Sequence, residues 1–364
     1  MPHRRWFVQR TNPEYIRYLS RAASVSPAFA QILINRGIKT PEAIKGFVSP
    51  SVDDLIDPAT LGGVNEATGI IKDAIKSGKA ILVHGDYDAD GITGTAIMFS
   101  AIERLGGKVY YFIPERLRHG YGFHKAGVEY AREVGAELII TVDCGITSFE
   151  AVRMAREMGI EVIITDHHEP KHDRTGALKI PDASAVVNPR LDREVPVLSG
   201  SAVALKVAQA LLGTEEAVTM LDLACLGTVA DVIPLIEESR VIVKEGLELI
   251  NEAARPGIKA LKEVSGVNGR TLSAGLLSFT LIPRINASGR IDHAGSVLEL
   301  LITDDPDRAY KIAQRIDKLN SKRQRIEEDV HNEALEQLNY KGYDLTIVLA
   351  SEGWHEGVVG IVAS

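Results

Sequence analysis

The chain has 364 residues and two cysteines, with 41 Lys and Arg against 49 Asp and Glu for a formal net charge of −8 at pH 7. That length implies two or three packed units at about 100–200 residues each. A composition of 45% hydrophobic and 25% charged residues excludes wholesale disorder and a disulfide framework, and the absence of any apolar run near ~18–20 residues excludes a helical membrane span.

In chain order, the basic start MPHRRWFVQR is followed by no signal-peptide apolar region, which argues against export and, with only Cys144 and Cys225 present, for a cytoplasmic setting. SPAFAQILINRGI predicts a short amphipathic helix, and TPEAIKGFVSPSVDDLIDP a second, broken by Pro50 and Pro58. Residues 1–64 are therefore expected to form a helical extension. From Asn65 helices alternate with short apolar runs. EATGIIKDAIKSG precedes the strand KAILVHGD, and GITGTAIMFSAIERLGG precedes KVYYFIP. HKAGVEYAREVG leads to AELIITVD, SFEAVRMAREMG leads to IEVIITDHH, and ASAVVNP closes the run. Continuous β-branched runs between helices predict strands buried on both faces, hence an α/β fold with a doubly wound, mostly parallel sheet over 65–190. The chain then turns helical over 191–302. A long helix follows within 303–340, with Arg308, Lys311, Arg315, Lys318, Lys322 and Arg325 along one stripe. The stretch 341–364 reads as a fresh strand, a Gly turn and the opening of an apolar run, as if a further domain began there.

Three polar clusters sit where apolar strands end: His84, Asp86, Asp88 and Asp90 in HGDYDADG; Asp143 closing LIITVD; and Asp166, His167 and His168 closing VIITDHH. In open parallel sheets ligands bind beyond the carboxyl ends of the strands, so all three point at one crevice. Asp231, in GTVADVIP, can fold back over that edge. A lone Asp at a strand end is usually a helix cap. Five acids and three histidines at successive strand tips exceed what capping needs, and so much like charge requires neutralisation. Two divalent cations about 3.5–4 Å apart can clamp a phosphoryl group. Asp143, alone on its tip, is the natural bridge between them. Asp88 and Asp90, two apart, face the same way, and Gly91 is expected to let the backbone turn sharply. Mixed imidazole and carboxylate donors suit Mn²⁺ better than an all-oxygen cage, with Mg²⁺ the other candidate. Asp86 and Asp166 are expected to stand behind the ligands and orient them.

HGDYDADG, TVDCG, TDHHEP and GTVADVIPL resemble the four motifs of the DHH phosphoesterase superfamily. WFVQR, ILINRGIKTPEAIKGFVSP, IPERLRHGYGF, LSGSAVALKVAQAL, RINASGRIDHA and LNSKRQ further resemble the RecJ family of bacterial single-strand-specific 5′→3′ exonucleases, over essentially the whole chain. The resemblance implies His84, Asp88 and Asp143 around one cation and Asp90, Asp143, His167 and Asp231 around the other, with His168 donating to the scissile phosphate. It also implies single-stranded DNA as substrate, a setting in DNA repair and recombination, and single-strand-binding-protein or helicase partners. GWHEGVVGIVAS resembles the start of a truncated DHH-associated C-terminal domain.

Outside the clusters, Arg116 lies just past a strand tip, placed to hold a 5′-phosphate, with Arg118 and Tyr121 as weaker forms of the same expectation. Arg284, Asn286 and Arg290 in PRINASGR form a compact polar turn expected to contact nucleic acid. The Ser199-Gly200-Ser201 helix start is expected to be a simple cap rather than an anion site. An enzyme of the same superfamily acting on short RNA, cyclic dinucleotides or pyrophosphate is the rival reading, and a non-catalytic scaffold the reading from another class.

Overall fold

Each of the first three helices begins the same way, with a capping side chain followed by proline. Asn12, Ser26 and Thr40 each accept a backbone N–H, and Pro13, Pro27 and Pro41 occupy the first helical position, where a missing N–H costs nothing. These are α1 (Pro13–Ala22), α2 (Pro27–Asn35) and α3 (Pro41–Val48) of a computed structural model that describes residues 11–192, 196–341 and 346–364. The sequence reading recovered α2 and α3 but not α1, whose Pro13 starts a helix rather than breaking one. WFVQR lies outside the described residues. Two 3₁₀ turns, Val52–Asp54 and Pro58–Thr60, then carry the chain to α4 (Val64–Lys76).

The alternating region follows as β1 (Ala80–His84), α5 (Ala89–Arg104), β2 (Lys108–Phe112), α6 (Arg116–His119), α7 (Lys125–Glu133), β3 (Ala136–Val142), α8 (Phe149–Glu157) and β4 (Glu161–Thr165). A two-residue hairpin, β5 (Lys171–His172) and β6 (Leu178–Lys179), stands apart, and β7 (Ala185–Val187) completes the main sheet. Its order is β2-β1-β3-β4-β7, parallel throughout. The strands are apolar on both faces because both are covered. Ile81, Val83, Ile140 and Ile163 enter one core, whereas Leu82, Ile139, Val162 and Ile164 enter the other. The chain steps from β1 out to β2, then back to β3 on the other side of β1. That reversal opens a crevice at the carboxyl ends of β1 and β3.

The helical remainder consists of α9 (Gly200–Leu212), α10 (Thr214–Ala217), α11 (Leu221–Ala230), α12 (Glu237–Glu252), α13 (Pro256–Val264), α14 (Ala274–Phe279), α15 (Leu281–Ile291), α16 (Gly295–Ile302), the 36-residue α17 (Pro306–Lys341) and α18 (Glu356–Val362). α9 and α11 pack on α5, which folds the helical half back over the sheet edge. The strand expected near residues 343–350 does not form over Thr346–Ala350, which is irregular, and residues 342–345 lie outside the described residues. A strand needs a ladder partner, and among the described residues this segment has none.

Candidate metal centre

Past His84 the chain turns through residues 85–88 into α5. Asp88 caps that helix, its Oδ1 accepting from the amides of Asp90 (3.0 Å) and Gly91 (3.1 Å). Capping therefore uses one oxygen and leaves the other uncommitted, so the two roles weighed for such an Asp are compatible. Gly91 lies inside α5 rather than at a turn. A Cβ there would fall 2.7 Å from the Asp86 backbone nitrogen, so the glycine admits the Asp86 loop against the helix. Asp90 reaches across to α9, accepting from Gly200 (2.6 Å) and Ser201 (2.9 Å). The helix start is capped as read, Ser199 Oγ accepting from Ala202 N–H (3.2 Å), and its free amides in addition bind an anion, the carboxylate of Asp90.

Asp143 follows β3 with φ 61°, in the left-handed region that a non-glycine residue enters at a cost. Its Oδ1 is buried and accepts no hydrogen bond, although His167 Nε2 lies 3.0 Å away. Two lone-pair donors so close, without hydrogen-bond alignment, are disposed as ligands of a shared cation. Gly200 permits the arrangement: a Cβ on it would sit 2.5 Å from the Asp143 carboxylate. After β4, Asp166 Oδ2 accepts from Ile146 (2.9 Å). Its Oδ1 accepts from the amides of His167 (2.7 Å) and His168 (3.0 Å) and lies 2.8 Å from His168 Nδ1. Oδ1 thus fixes the His167-His168 corner, and Oδ2 ties that corner to the turn after β3. Burial pushes Asp166 up, but the bond from His168 and its charge outweigh it and hold the carboxyl below the usual range. Burial likewise pushes His168 down, yet Asp166 holds the imidazole above its ordinary value, favouring a protonated donor. Tyr121 Oη stands 3.0 Å from His168 Nε2.

Three groups result, each with ligand atoms within 4.8 Å of one another: Asp86, Asp88 and Asp143; Asp143, His167 and His168; Asp90, His167 and Asp231. Asp143 and His167 each belong to two groups and join the three into one constellation. Asp231 reaches it from the end of α11, its Oδ2 3.8 Å from His167 Nε2. Both oxygens of Asp86 are buried and unbonded. Burial, and then the neighbouring carboxylates, push Asp143 well above the usual range, Asp86 to about 8, Asp231 to about 6, and Asp88 upward. So many orphaned and mutually repelling oxygens beside imidazole nitrogens fit divalent cations of the Mn²⁺ or Mg²⁺ class.

One expectation is corrected here. His84 belongs to none of the three groups. Its ring packs between Phe112 (5.3 Å) and Phe123 (5.0 Å), its Nε2 edge faces Gly127, and its Nδ1 is 3.8 Å from Cys144 Sγ. Burial pushes it down to about 3, so the ring is neutral. Asp86, expected behind the ligands, takes the place beside Asp88 and Asp143. The strand-end period put His84 at the tip, but the last residue of β1 still points into a two-faced core.

Of the residues expected at substrate, Arg116 opens α6 with its guanidinium 5.4 Å from the Tyr87 ring. Arg118 is exposed and paired with Glu115. Arg290 Nη1 donates to the Gly357 carbonyl. Arg284 is occupied otherwise, bonded to Asp317 (2.8 Å) and the Thr280 carbonyl (2.8 Å). Asn286 Oδ1 accepts from Ala89 N–H (2.8 Å), which fastens the start of α5. Arg284 and Asn286 therefore hold the scaffold together rather than presenting free donors. Sequence reading missed Arg323 of LNSKRQ. It is largely buried, with Nη1 and Nη2 bonded to Glu327 (2.9 Å) and Asn320 (3.1 Å) and Nε unbonded. Burial, then the charges of Arg116 and Arg323, hold the Arg290 guanidinium below its ordinary value. Following the exposed basic stripe of α17 led away from Arg323, which lies off that stripe. Within the stripe, Arg308 and Arg315 are spent on Glu299 and Asp292.

Residues 80–228 match the N-terminal domain of the DHH family. The chain is 39% identical over 364 residues to the single-stranded-DNA-specific exonuclease RecJ of Bacillus subtilis, covering 99% of this chain and 45% of that protein. Against RecJ of Thermus thermophilus the identity is 38%, covering 96% and 50%. The crystal structure of an exonuclease RecJ bound to manganese superposes with TM-score 0.74 and 39% identity, over 83% of this chain and 76% of that one. The Thermus thermophilus RecJ in complex with Mn²⁺ gives TM-score 0.82 and 35% identity, over 97% and 50%. The chain thus spans about half the length of these curated relatives.

Proposed function

Because the chain belongs to the RecJ family of single-stranded-DNA-specific exonucleases, we propose that it hydrolyses phosphodiester bonds of single-stranded DNA from the 5′ end with two divalent cations bound. The observation that carries this reading is the constellation itself, in which Asp143 and His167 each serve two adjoining ligand groups. Asp86, Asp88 and Asp143 would hold one cation, and Asp90, Asp143, His167 and Asp231 the other. Bound there, divalent cations supply Lewis acidity that activates water and offsets charge on the phosphate.

The chain's own residues supply the rest. Asp166 fixes the His168 ring and keeps it protonated, so that His168 donates a hydrogen bond to the phosphate oxygen as charge develops. Tyr121 braces the same ring. Arg116, just past β2, and Arg290, whose guanidinium feels the charges of Arg116 and Arg323, take the 5′-terminal phosphate, for which planar guanidinium groups are suited. The rest of the reading rests on family likeness: residues 1–64 as an extension, 65–302 as the catalytic domain, 303–340 as a connecting helix, and 341–364 as the start of a further domain. The same likeness supplies a cytoplasmic setting in DNA repair and recombination, with single-strand-binding protein or a helicase as partner.

The test compares a 5′-phosphorylated single strand, the same strand in duplex, and a dinucleotide, each with Mn²⁺ and with chelator. Mononucleotide release from the single strand alone, dependent on Mn²⁺, is expected. Preference for the duplex or the dinucleotide overturns the assignment.

A further inference from the structure

The groove that opens at the Tyr121–His168 pair extends well beyond it. It measures about 1330 Å³ and runs past the Gly145–Ser148 turn to Phe149, Lys171 and Lys179. A second hollow of about 740 Å³ shares Phe149 and Lys179 with it and continues to Leu178 and Ile180, two exposed apolar side chains. Together they exceed the roughly 300–1,000 Å³ of a small-molecule pocket and have the form of a track.

The far wall is the β5–β6 hairpin, where Lys171 and Lys179 are directly opposite one another. Like charges so placed destabilise a strand pair. Here both ammonium groups lie toward the ring of Phe149, at 5.9 and 5.5 Å, which softens the repulsion without removing it. Other charges along the groove have partners: Lys125 with Glu129, Arg153 with Glu157, Arg190 with Glu169. Glu150 is the acid on the wall left without one among the described residues. Neither lysine has a carboxylate within 4 Å among the described residues, although Asp173 of the same hairpin lies near enough to feel the charge of Lys179. A short hairpin that places two unmatched cations face to face, beside an opening that leads to His168, is arranged for an anion with more than one charge.

We propose that this groove is the track for single-stranded nucleic acid beyond the scissile position, with Lys171 and Lys179 neutralising backbone phosphates, Phe149 facing a base, and Leu178 and Ile180 giving apolar contact along the strand. The proposal rests on reading the centre as a phosphodiesterase, and it names where the strand lies. A protein partner would call for a contiguous apolar face, whereas here the cations flank one aromatic ring, Phe149, the pairing of charge and ring that sequence-tolerant strand binding uses.

Binding of a fluorescent oligothymidylate to the full chain, followed by anisotropy in chelator across a salt series, tests it. K171Q/K179Q should weaken binding about tenfold and flatten the dependence of log K on log salt by about 1.4, two contacts at ~0.7 each for a single strand. K72Q/K76Q on α4 removes the same charge elsewhere and should preserve both. If the two double variants bind alike, the track is wrong. The readout needs no turnover, so failure of the exonuclease assay and failure of this proposal are separate results.

Discussion

Asp143 combines a left-handed backbone, full burial and an unbonded oxygen. Three costs at one residue persist only where the surroundings impose them. Asp143→Asn keeps the shape and tolerates the backbone conformation, but removes the charge. Mn²⁺ binding followed by calorimetry should fall by two orders of magnitude or more. The metal-free protein should melt higher than the parent at neutral pH, because Asp143, pushed well above the usual carboxylate range by burial, must take up a proton to be buried, a cost the neutral amide does not carry. A lower melting point with cation binding retained would show the carboxylate to be structural. Asp86 gives a pH signature. Its carboxyl titrates at about 3.9 in an unfolded chain and at about 8 in the folded, metal-free protein. The folded form therefore binds that proton more tightly. The associated stability is complete below about pH 4 and is lost as pH rises through about 8. Melting temperature of metal-free protein should fall across that window, Asp86→Asn should flatten the fall, and Mn²⁺ should reverse it. The sequence displayed these carboxylates plainly, because clustered acids at strand tips are a pattern in residue types. It did not display which of His84 and Asp86 faces the crevice, since that depends on where the last turn of β1 closes over Phe112 and Phe123.

At the scale of elements, the sheet was legible because its central strands β1, β3 and β4 are buried on both faces and read as apolar runs rich in β-branched residues. The hairpin β5–β6 was not, because KHDRTGALK is polar and lacks the alternation of a half-buried strand. α9 was legible as a helix, but its role was not: its first turn is a socket for Asp90, and its Gly200 makes room for Asp143. Gly200→Ala therefore places a methyl group where the carboxylate lies. Mn²⁺ affinity should drop at least tenfold while far-ultraviolet dichroism stays unchanged. Gly69→Ala is the converse case. Gly69 is an exposed position inside α4 with nothing near its absent Cβ. Relief of backbone entropy should stabilise the protein by about 0.5–1 kcal/mol, read as a higher urea midpoint. Equal behaviour of the two alanine variants would mean that Gly200 is an ordinary helical glycine.

Over the whole molecule, the region from Phe47 to Ile56 is laid along α12. Arg240 bonds the Phe47 carbonyl and stacks on its ring at 3.8 Å, and Lys244 donates to the Pro50 carbonyl (2.9 Å). Glu238 Oε1 accepts from Ile56 N–H (3.1 Å) and from Lys206 Nζ (2.6 Å), while Lys206 also bonds the Ile56 carbonyl. The Lys206–Glu238 pair is almost fully buried, 2% and 1% exposed at the side chains. It fastens the N-terminal helices to α9, the helix whose first turn grips Asp90. No sequence pattern announces such a pair, because its members are 32 residues apart and each sits alone on a helix face. Removing one partner leaves the other charged and dry. Lys206→Met should therefore cost about 3–5 kcal/mol by urea denaturation. Replacing both, as Lys206→Met with Glu238→Leu, removes the stranded charge and should recover most of that loss. Ile56 N–H then loses its acceptor, so a residual cost of about 1–3 kcal/mol should remain. If the double variant is no more stable than Lys206→Met alone, the ion pair is not what joins the N-terminal segment to the catalytic scaffold.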